Sequence, residues 1–267
     1  MGMYNDRLEA AIEASKRAGI YLLDALDQKR DINKKGIVDI VTDADKEAEM
    51  IIHNIISEEY PNDEFLAEEG TQDKGSSGLT WIVDPLDGTT NYAHRFPVFC
   101  VSIGLVKDGV PQAGCIYNPN LDELFTVHRG EGAVLNGEPI HVSTNDQLIN
   151  SLLATGFPYD IRESDQDNMN NFYMFYKHGA QAVRRAGSAA LDLAYTACGR
   201  FDGFWEMKLR AWDIAAGILL VEEAGGKVTD FKGGPVDLFK GEVLASNGKI
   251  HATMQKVLKE SAKLRLI

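Results

Sequence analysis

Residues 81–92 read WIVDPLDGTTNY, and this stretch decides how the fold of the chain is interpreted. An apolar run leads directly into Asp84, Asp87 follows three positions later, and a glycine and two threonines come next. A short apolar run of this kind is typical of a buried strand. In layered α/β folds, ligands bind at the carboxyl ends of such strands. The stretch therefore predicts a ligand site where a buried strand ends.

Asp84 and Asp87 are placed to share a cation. Pro85 restricts the turn between them, so that Asp87 can fold back toward Asp84. Carboxylates held close together repel each other unless a cation lies between them. Oxygen ligands suit Mg²⁺, and the backbone carbonyl of Leu86 could add a third oxygen. The spacing therefore predicts a magnesium site in this turn.

Gly88, Thr89 and Thr90 follow the two aspartates and have the pattern of a starting helical turn. Backbone N–H groups at such a turn bind phosphate, and glycine lets the anion approach closely. The Thr89 hydroxyl could orient a water molecule. Together with a metal site, this combination favours phosphate-ester hydrolysis. The alternative is an Asp-Pro turn followed by an Asp-Gly turn with no ligand, which would explain either dipeptide alone better than the whole string.

Three further acids are candidates for the same site, and each also has a simpler interpretation. Glu68 closes a predicted strand at 65–67, and it would lie beside Asp84 if the two strands are neighbours. Asp213 begins an apolar helix, and Asp45 lies at the start of another, so either could be only a helix cap. Glu68 alone could equally belong to a solvated acidic pair.

The remaining pattern predicts a mixed α/β chain without repeats. Apolar stripes predict helices near 8–26 and 45–60, whereas 28–36 is predicted to be a loop. Strands are predicted at 65–67 and 80–83 and, from 98 to 137, as an antiparallel meander. After about residue 145, strands alternate with helices, which predicts a layered half. We therefore expect two closely packed parts, residues 1–147 and 148–267.

Composition excludes several classes of protein. The chain has 267 residues, of which 44% are hydrophobic, and a formal net charge of −13. This charge argues against binding along a nucleic-acid backbone, but a local cation could still attract a small anion. No apolar run is long enough to cross a bilayer, and the N-terminus lacks a signal pattern, so we expect a cytoplasmic location. Cysteines 100, 115 and 198 match no zinc or redox spacing.

Five segments, in order along nearly the whole chain, resemble the inositol monophosphatase family. WIVDPLDGTTNY with HRFPVF behind it is similar to the family signature, and FLAEEG (65–70) to its acidic strand end. VDIVTDADKEAE (38–49) resembles its threonine–aspartate segment. RRAGSAALDLAYTACGRFDGFWE (184–206) and AWDIAAGILLVEEAGG (211–226) resemble its second half. The Asp-Pro-Leu-Asp-Gly-Thr string is the most specific of these matches.

The resemblance implies a layered α-β-α-β-α sandwich of the inositol monophosphatase and fructose-1,6-bisphosphatase type. It also implies a lithium-sensitive, Mg²⁺-dependent phosphomonoesterase that is usually a cytoplasmic homodimer. Carried over by position, Glu68, Asp84 and the Leu86 carbonyl would hold one Mg²⁺. Asp84, Asp87 and Asp213 would hold a second, and Glu68 would also support a third, weaker ion.

The same resemblance implies the remaining site residues. Thr89 with Asp45 would orient the attacking water, and Glu68 counts among the catalytic residues. The phosphate would lie against Asp87 and the amides of Gly88 and Thr89. Four residues would face the alcohol part of the substrate: Gly187, Ser188, Ala189 and Glu206. Lys34 would lie near the metals.

The function expected first is hydrolysis of inositol 1-phosphate to inositol and phosphate. A second possibility is the same machinery acting on fructose 1,6-bisphosphate, histidinol phosphate, NADP or a 3′-phosphonucleotide. A third is a regulatory member of the family that acts with the transcription or ribosome-assembly machinery. The intact set of acids favours retained catalysis, and the negative charge argues against direct nucleic-acid binding.

Overall fold

The computed structural model describes residues 4–26, 32–34, 40–160, 162–164 and 168–263. The helices of this part are α1 (Asn5–Leu26), α2 (Asp43–Glu59), α3 (Thr89–Ala93), α4 (Met169–Lys177), α5 (Ala189–Ala197), α6 (Ala211–Glu223) and α7 (His251–Ser261). None of these described helices combines the length and the apolar content needed to cross a bilayer.

The strands form three sheets. A two-stranded ribbon pairs β1 (Ile32–Lys34) with β2 (Ile40–Thr42). The first large sheet contains β3 (Glu64–Ala67), β4 (Gln72–Asp73), β5 (Leu79–Asp87), β6 (Cys100–Lys107), β7 (Val110–Asn118), β8 (Glu123–His128), β9 (Gly132–Leu135) and β10 (Glu138–Pro139), in the order β10-β9-β8-β7-β6-β5-β3-β4. The second contains β11 (Leu152–Thr155), β12 (Ala182–Arg184), β13 (Gly203–Glu206), β14 (Lys227–Thr229) and β15 (Val243–Ser246), in the order β12-β11-β13-β15-β14.

The helices lie in three layers around the two large sheets. The first layer, α1 and α2, packs on the outer face of the first sheet, where α1 contacts β6 and β7 and α2 contacts β5. The middle layer, α5 and α6, lies between the sheets, because α6 contacts β6 and β7 while α5 contacts β11 and β13. The third layer, α4 and α7, covers the far face of the second sheet. This arrangement confirms the predicted α-β-α-β-α sandwich.

Two glycines let the middle layer approach the first sheet closely. Gly104 on β6 lies opposite Gly114 on β7 in the antiparallel register. A Cβ atom added at Gly104 would lie 2.9 Å from the Cβ of Ala215, and one added at Gly114 would lie 3.0 Å from the Cβ of Ala216. Backbone and small side chains of α6 therefore rest directly on the sheet, and this close packing fixes where the N-terminus of α6 lies.

Most predicted elements are confirmed, with three differences. The predicted loop at 28–36 is wrong at 32–34, where β1 forms, and part of it falls outside the described residues. The strand predicted to end at residue 83 extends as β5 to Asp87, with a register shift between Asp84 and Asp87 that accommodates Pro85. Strands β14 and β15 had no sequence prediction. The division at 147–148 stays a prediction.

Candidate functional site

Carboxylates from two neighbouring strands meet at one edge of the first sheet. Strands β3 and β5 run parallel, with Ala67 opposite Val83, and the Glu68 N–H donates to the Val83 carbonyl at 3.2 Å. Because the register continues by one residue, Glu68 lies beside Asp84, as the sequence predicted. Asp84 is 1% exposed. Glu68 is half-buried, so the pair is not a fully solvated surface pair.

The turn after Asp84 is fixed by its own side chains. The Leu86 N–H donates to Oδ1 of Asp84 at 3.0 Å, and the Thr89 hydroxyl donates to the Leu86 carbonyl at 3.1 Å. Gly88 has φ 99°, a left-handed conformation that glycine adopts without strain. A side chain there would also meet the Val98 carbonyl at 2.8 Å. The turn thus brings Asp84, Leu86 and Thr89 into one small region and starts α3.

Asp87 joins the first sheet to the second half of the chain. Its Oδ2 accepts hydrogen bonds from the Ser188 hydroxyl at 2.6 Å and from the Ala190 N–H at 2.7 Å. Ser188 is also the N-cap of α5, because its hydroxyl accepts from the Leu191 N–H at 3.3 Å. Ser188 therefore caps α5 and also contacts the acidic site, whereas its predicted contact with the substrate stays a prediction. Its neighbour Gly187 has φ 92°.

Asp213 reaches the same acids from the start of α6. The N-cap of this helix is Arg210 rather than Asp213, so the simpler interpretation of Asp213 as the N-cap residue is wrong. Asp213 is the third helical residue, and its Oδ2 accepts from the Arg210 N–H at 2.6 Å. This contact holds one oxygen of the carboxylate in place.

The acids raise one another's pKa values. Burial raises the pKa of Asp84 well above its usual range, and the charges of Glu68, Asp87 and Asp213 raise it further. Burial raises the pKa of Asp87 to about 6, although its hydrogen bonds lower it. Burial, followed by the charge of Asp87, raises the pKa of Asp213 to about 8. Carboxylates with this electrostatic conflict are stabilised by a cation placed among them.

The donor set fits a divalent cation. Asp84 and Asp213 each accept a backbone N–H on one oxygen, and within the described ranges the second oxygen has no hydrogen bond. Backbone contacts of this kind orient metal ligands. No salt bridge of the described residues involves Asp84, Asp87 or Asp213. In the same part of the chain, no three acidic, His or Cys side chains already have the geometry of a formed metal site.

Glu206 lies at the end of β13 and faces a glycine. A Cβ atom added at Gly156 would lie 2.1 Å from Oε1 of Glu206, so the carboxylate rests directly on the glycine backbone. Glu206 is buried, and burial followed by the charge of Asp87 raises its pKa to about 8, against the lowering effect of Arg185. The structure therefore brings Glu206 into the electrostatic range of the acidic cluster, and its predicted contact with the alcohol part of the substrate stays a prediction.

Helix α2 carries two buried acids toward this edge. Asp45 lies in its first turn, directly after β2, and β2 contacts α3, which begins at Thr89. Glu49, one turn later, accepts the Glu69 N–H at 2.7 Å and the Thr71 N–H at 3.0 Å. Glu49 therefore holds the loop that follows Glu68. The side chain of Lys34, on β1, lies outside the described part of the structure.

Several residues that shape the site had no sequence prediction. The Asn91 amide donates to the carbonyls of Val98 at 2.7 Å and Ala186 at 2.9 Å, and so ties α3 to the segment before Ser188. Asp192 is buried on α5 with one oxygen unpaired, and the charge of Glu206 raises its pKa beyond the effect of burial. The basic pair at 184–185, directly before Gly187, was the one available signal for Arg185. Gly156 and Glu49 carry no local signal, because their roles depend on contacts between distant segments.

Comparison with known proteins gives consistent matches over the whole fold. The sequence model of the inositol monophosphatase family matches residues 3–263. An inositol-1-monophosphatase of Synechocystis sp. is 47% identical over 94% of this chain and 88% of its own length. The structure of an inositol monophosphatase from Anabaena has a TM-score of 0.88 and 45% identity, and 97% of each chain is covered. A protein named Nus factor SuhB from Pseudomonas aeruginosa is 41% identical over 91% of this chain and 92% of its own.

The acidic cluster predicts stabilisation by magnesium. A ligand that binds the folded chain at a hundred times its dissociation constant adds about 2.7 kcal/mol of stability. For a chain of this size, we expect saturating Mg²⁺ to raise the thermal unfolding midpoint by roughly 4–8 °C. Asp213→Asn should weaken this shift, and without Mg²⁺ it should be at least as stable as wild type because it removes a repelled carboxylate. Calorimetry with and without Mg²⁺ measures both effects.

The matched control is Asp146→Asn, which removes one exposed acid elsewhere. It should keep the full magnesium shift. An equal shift in wild type and Asp213→Asn would show that Asp213 is not a ligand.

Proposed function

The chain belongs to the inositol monophosphatase family, and from that premise we propose that it is a Mg²⁺-dependent phosphatase that hydrolyses inositol 1-phosphate to inositol and phosphate. Because members of this family are phosphatases, membership of the family identifies the protein as a phosphatase. One observation supports the specific reaction most strongly: acids from both halves of the chain converge beside a buried carboxylate, Glu206, at a strand end. The cluster suits cations and a phosphate, whereas Glu206 suits the hydroxyl groups of a polyol.

The proposed ligands are the four acids of this cluster and one backbone carbonyl. Glu68, Asp84 and the Leu86 carbonyl would hold one Mg²⁺, and Asp84, Asp87 and Asp213 a second, with Glu68 supporting a third, weaker ion. When bound, such cations neutralise phosphate charge and make water more acidic. Asp84 is thereby occupied as a ligand, so a covalent phosphoaspartate is not part of the proposal.

Thr89 and Asp45 would orient the attacking water. The Thr89 hydroxyl already lies at the turn, 3.1 Å from the Leu86 carbonyl, and it can accept a proton on one side while it donates on the other. Asp45 lies buried at the start of the helix that follows β2. We infer that the proton of the water passes by way of the Thr89 hydroxyl toward the Asp45 carboxylate.

The phosphate would lie against the N-terminal turn of α3. The amides of Gly88 and Thr89 would donate to its oxygens, and Asp87 borders it through the shared cation. The alcohol part would face the start of α5 and the end of β13. The residues proposed to contact it are Gly187, Ser188, Ala189 and Glu206. Glu206 accepts hydrogen bonds from hydroxyl groups, so it favours a polyol over an apolar alcohol.

Two alternatives stay open beside inositol 1-phosphate. The same machinery could act on fructose 1,6-bisphosphate, histidinol phosphate, NADP or a 3′-phosphonucleotide. The relative named Nus factor SuhB favours a regulatory function with the transcription machinery as the other alternative. The acids at 68, 84, 87 and 213, of which Asp84 is buried and the others are half-buried, support catalysis over a regulatory role alone.

A panel of phosphate esters tests the substrate. With Mg²⁺, we expect kcat/KM for inositol 1-phosphate to exceed that for the other named esters by at least tenfold, and Li⁺ at millimolar concentration to inhibit. Asp87→Asn should lower kcat by roughly a thousandfold because it removes a ligand charge where charge develops in the transition state. The Asp146→Asn variant should retain wild-type kcat.

Three results would contradict this proposal. The first is another ester turned over faster, the second is normal turnover in Asp87→Asn, and the third is negligible turnover with stoichiometric capture of RNA polymerase.

Gly156→Ala tests the role of Glu206. The added methyl group cannot coexist with the carboxylate in its present position, so Glu206 must move away from the substrate hydroxyls. Loss of the hydrogen bonds between the substrate and this buried carboxyl group costs about 1–3 kcal/mol, which predicts that KM for inositol 1-phosphate rises roughly fivefold to a hundredfold. The change in kcat should be smaller, because the acidic cluster is untouched.

Gly234→Ala provides a matched control, since its methyl group would meet Oδ2 of Asp230 at 3.0 Å, also the end of a carboxylate. This variant should leave KM within twofold of wild type. If Gly156→Ala also left KM unchanged, Glu206 would not contact the substrate.

We also propose a cytoplasmic homodimer joined through α4. Met169, Tyr173 and Tyr176 are each 45–46% exposed and lie on one face of this helix. Exposed aromatic patches of this kind mark protein interfaces. Light scattering should give twice the chain mass of 29.4 kDa for wild type and a lower mass for Tyr173→Asp. Ile20→Asp, which changes an exposed apolar residue on α1, should remain dimeric. A monomeric wild type would contradict the proposal.

A further inference from the structure

A basic cleft lies on the outer layer of the second sheet, between the start of α4, the segment after β13, the segment 231–242 and α7. Its volume is about 1080 Å³. Helix α7 and the residue after it line one side of the cleft, through residues 252, 255, 256, 258, 259, 261 and 262. A concave space of this size is typical of sites for small ligands. We call it the lysine cleft.

The charge of the lysine cleft is opposite to that of the whole chain. The chain carries 40 acidic and 27 basic residues. The lining nevertheless includes a single acid, Glu242, and five lysines: Lys208, Lys232, Lys240, Lys256 and Lys259. Charges of one sign in a concave site reinforce each other and attract small ions of the opposite sign.

Three of these lysines have no ion-pair partner in the described part of the chain. Lys208 binds Asp160 at 2.7 Å, and Lys240 binds Asp237 at 2.9 Å. Neither of these acids lines the cleft, although Asp237, together with Asp230, lines a smaller pocket that shares Lys232, Lys240 and Glu242 with it. Among the described residues, Lys232, Lys256 and Lys259 make no salt bridge. Their ammonium groups are therefore available to an anion.

The inner end of the cleft is polar and rigid. Asn168 has φ 69°, a left-handed conformation, and its side chain is fully committed to hydrogen bonds. Its amide donates to the hydroxyl of Thr155 and the carbonyl of Gly156, and its oxygen accepts from Trp205 and Asn171. Phe231 and Met207 add an apolar wall. The cleft thus has the mixed lining of a small-molecule site.

We propose that the lysine cleft binds a small, soluble anion with several phosphate groups, at a site separate from the acidic cluster. Three unpaired lysines match a ligand with several negative charges better than a single phosphate monoester. A long nucleic acid is disfavoured because the rest of the surface is negative. A phosphate headgroup held in a flat membrane cannot enter a concave cleft as easily as a soluble anion, which disfavours a lipid as the ligand.

The lysine cleft and the proposed substrate site are separated by one wall. Glu206 faces Gly156 on the side of the acidic cluster, whereas the next two residues, Met207 and Lys208, line the cleft. Asn168 lies in this wall and bonds to Gly156. The inference does not depend on which ester the phosphatase hydrolyses.

Calorimetric titration with inorganic triphosphate tests the proposal. It uses the full-length chain at low salt without added divalent ions, since these would sequester the probe. We expect binding that Lys256→Gln/Lys259→Gln weakens at least tenfold, because two of the three unpaired charges are lost. The matched control Lys74→Gln/Lys107→Gln removes two exposed lysines outside the cleft and should bind within twofold of wild type. Binding should weaken as salt is raised.

Further arms separate the alternatives. Asp213→Asn should bind triphosphate as wild type does, and a tenfold change of affinity in either direction in this variant alone would move the site to the acidic cluster and overturn the proposal. Equal binding by wild type and Lys256→Gln/Lys259→Gln, or no binding by wild type, would also overturn it. Vesicles carrying multiply phosphorylated headgroups should bind no better than neutral vesicles. Binding to them without binding to triphosphate would make a lipid the source and overturn the soluble ligand.

Turnover gives an independent readout. Lys256→Gln/Lys259→Gln should hydrolyse inositol 1-phosphate with KM within twofold of wild type. A tenfold rise in KM would show that the cleft is part of the substrate site and would contradict a separate one. A chain that bound triphosphate in the cleft but hydrolysed none of the esters would refute the proposed function and leave this inference standing.

Discussion

Mutual repulsion among carboxylates is the constraint on which the site depends. Asp84 is buried beside Glu68, Asp87 and Asp213, and each of these charges makes its ionised form less favourable. Such a cluster weakens the fold unless something positive is bound, because desolvated like charges are costly. Hydrogen bonds nevertheless hold one carboxylate oxygen each of Asp84, Asp87 and Asp213 in place. The donors are the backbone N–H groups of Leu86, Ala190 and Arg210. The fold thus holds the acids where they repel, which is the arrangement expected of a cation site.

The sandwich places these acids together because their segments come from separate layers. Glu68 directly follows β3, and Asp84 lies beside it on β5 where the register shifts. Asp213 lies in the first turn of α6 in the middle layer, and Asp87 is bonded to the start of α5. Neither half of the chain contains the whole cluster. The composition of the acidic cluster therefore depends on contacts between the two halves of the chain as well as on the motif at 81–92.

Sequence alone predicted much of this site, for identifiable physical reasons. Asp84 and Asp87 follow a buried strand in a turn rich in polar groups, so local pattern reveals them. Glu68 was predicted to lie near Asp84, and the parallel register of β3 and β5 confirms it. The five-layer fold followed from the family resemblance rather than from periodicity. Gly156 and Glu49 were missed because their partners, Glu206 and the loop after Glu68, are distant in sequence. Strands β14 and β15 were missed because they are short and lie in a segment without alternation.

The paired glycines of the first sheet connect core composition to the geometry of the acidic cluster. Helix α6 packs directly on Gly104 and Gly114, and the first turn of the same helix carries Asp213. The distance between α6 and the first sheet therefore determines the distance between Asp213 and Asp84. A methyl group introduced at either glycine would push α6 away from the sheet, and the Asp213 carboxylate would move with the helix. Substitutions in the interior of the protein can consequently change the spacing of these acids without altering any of them.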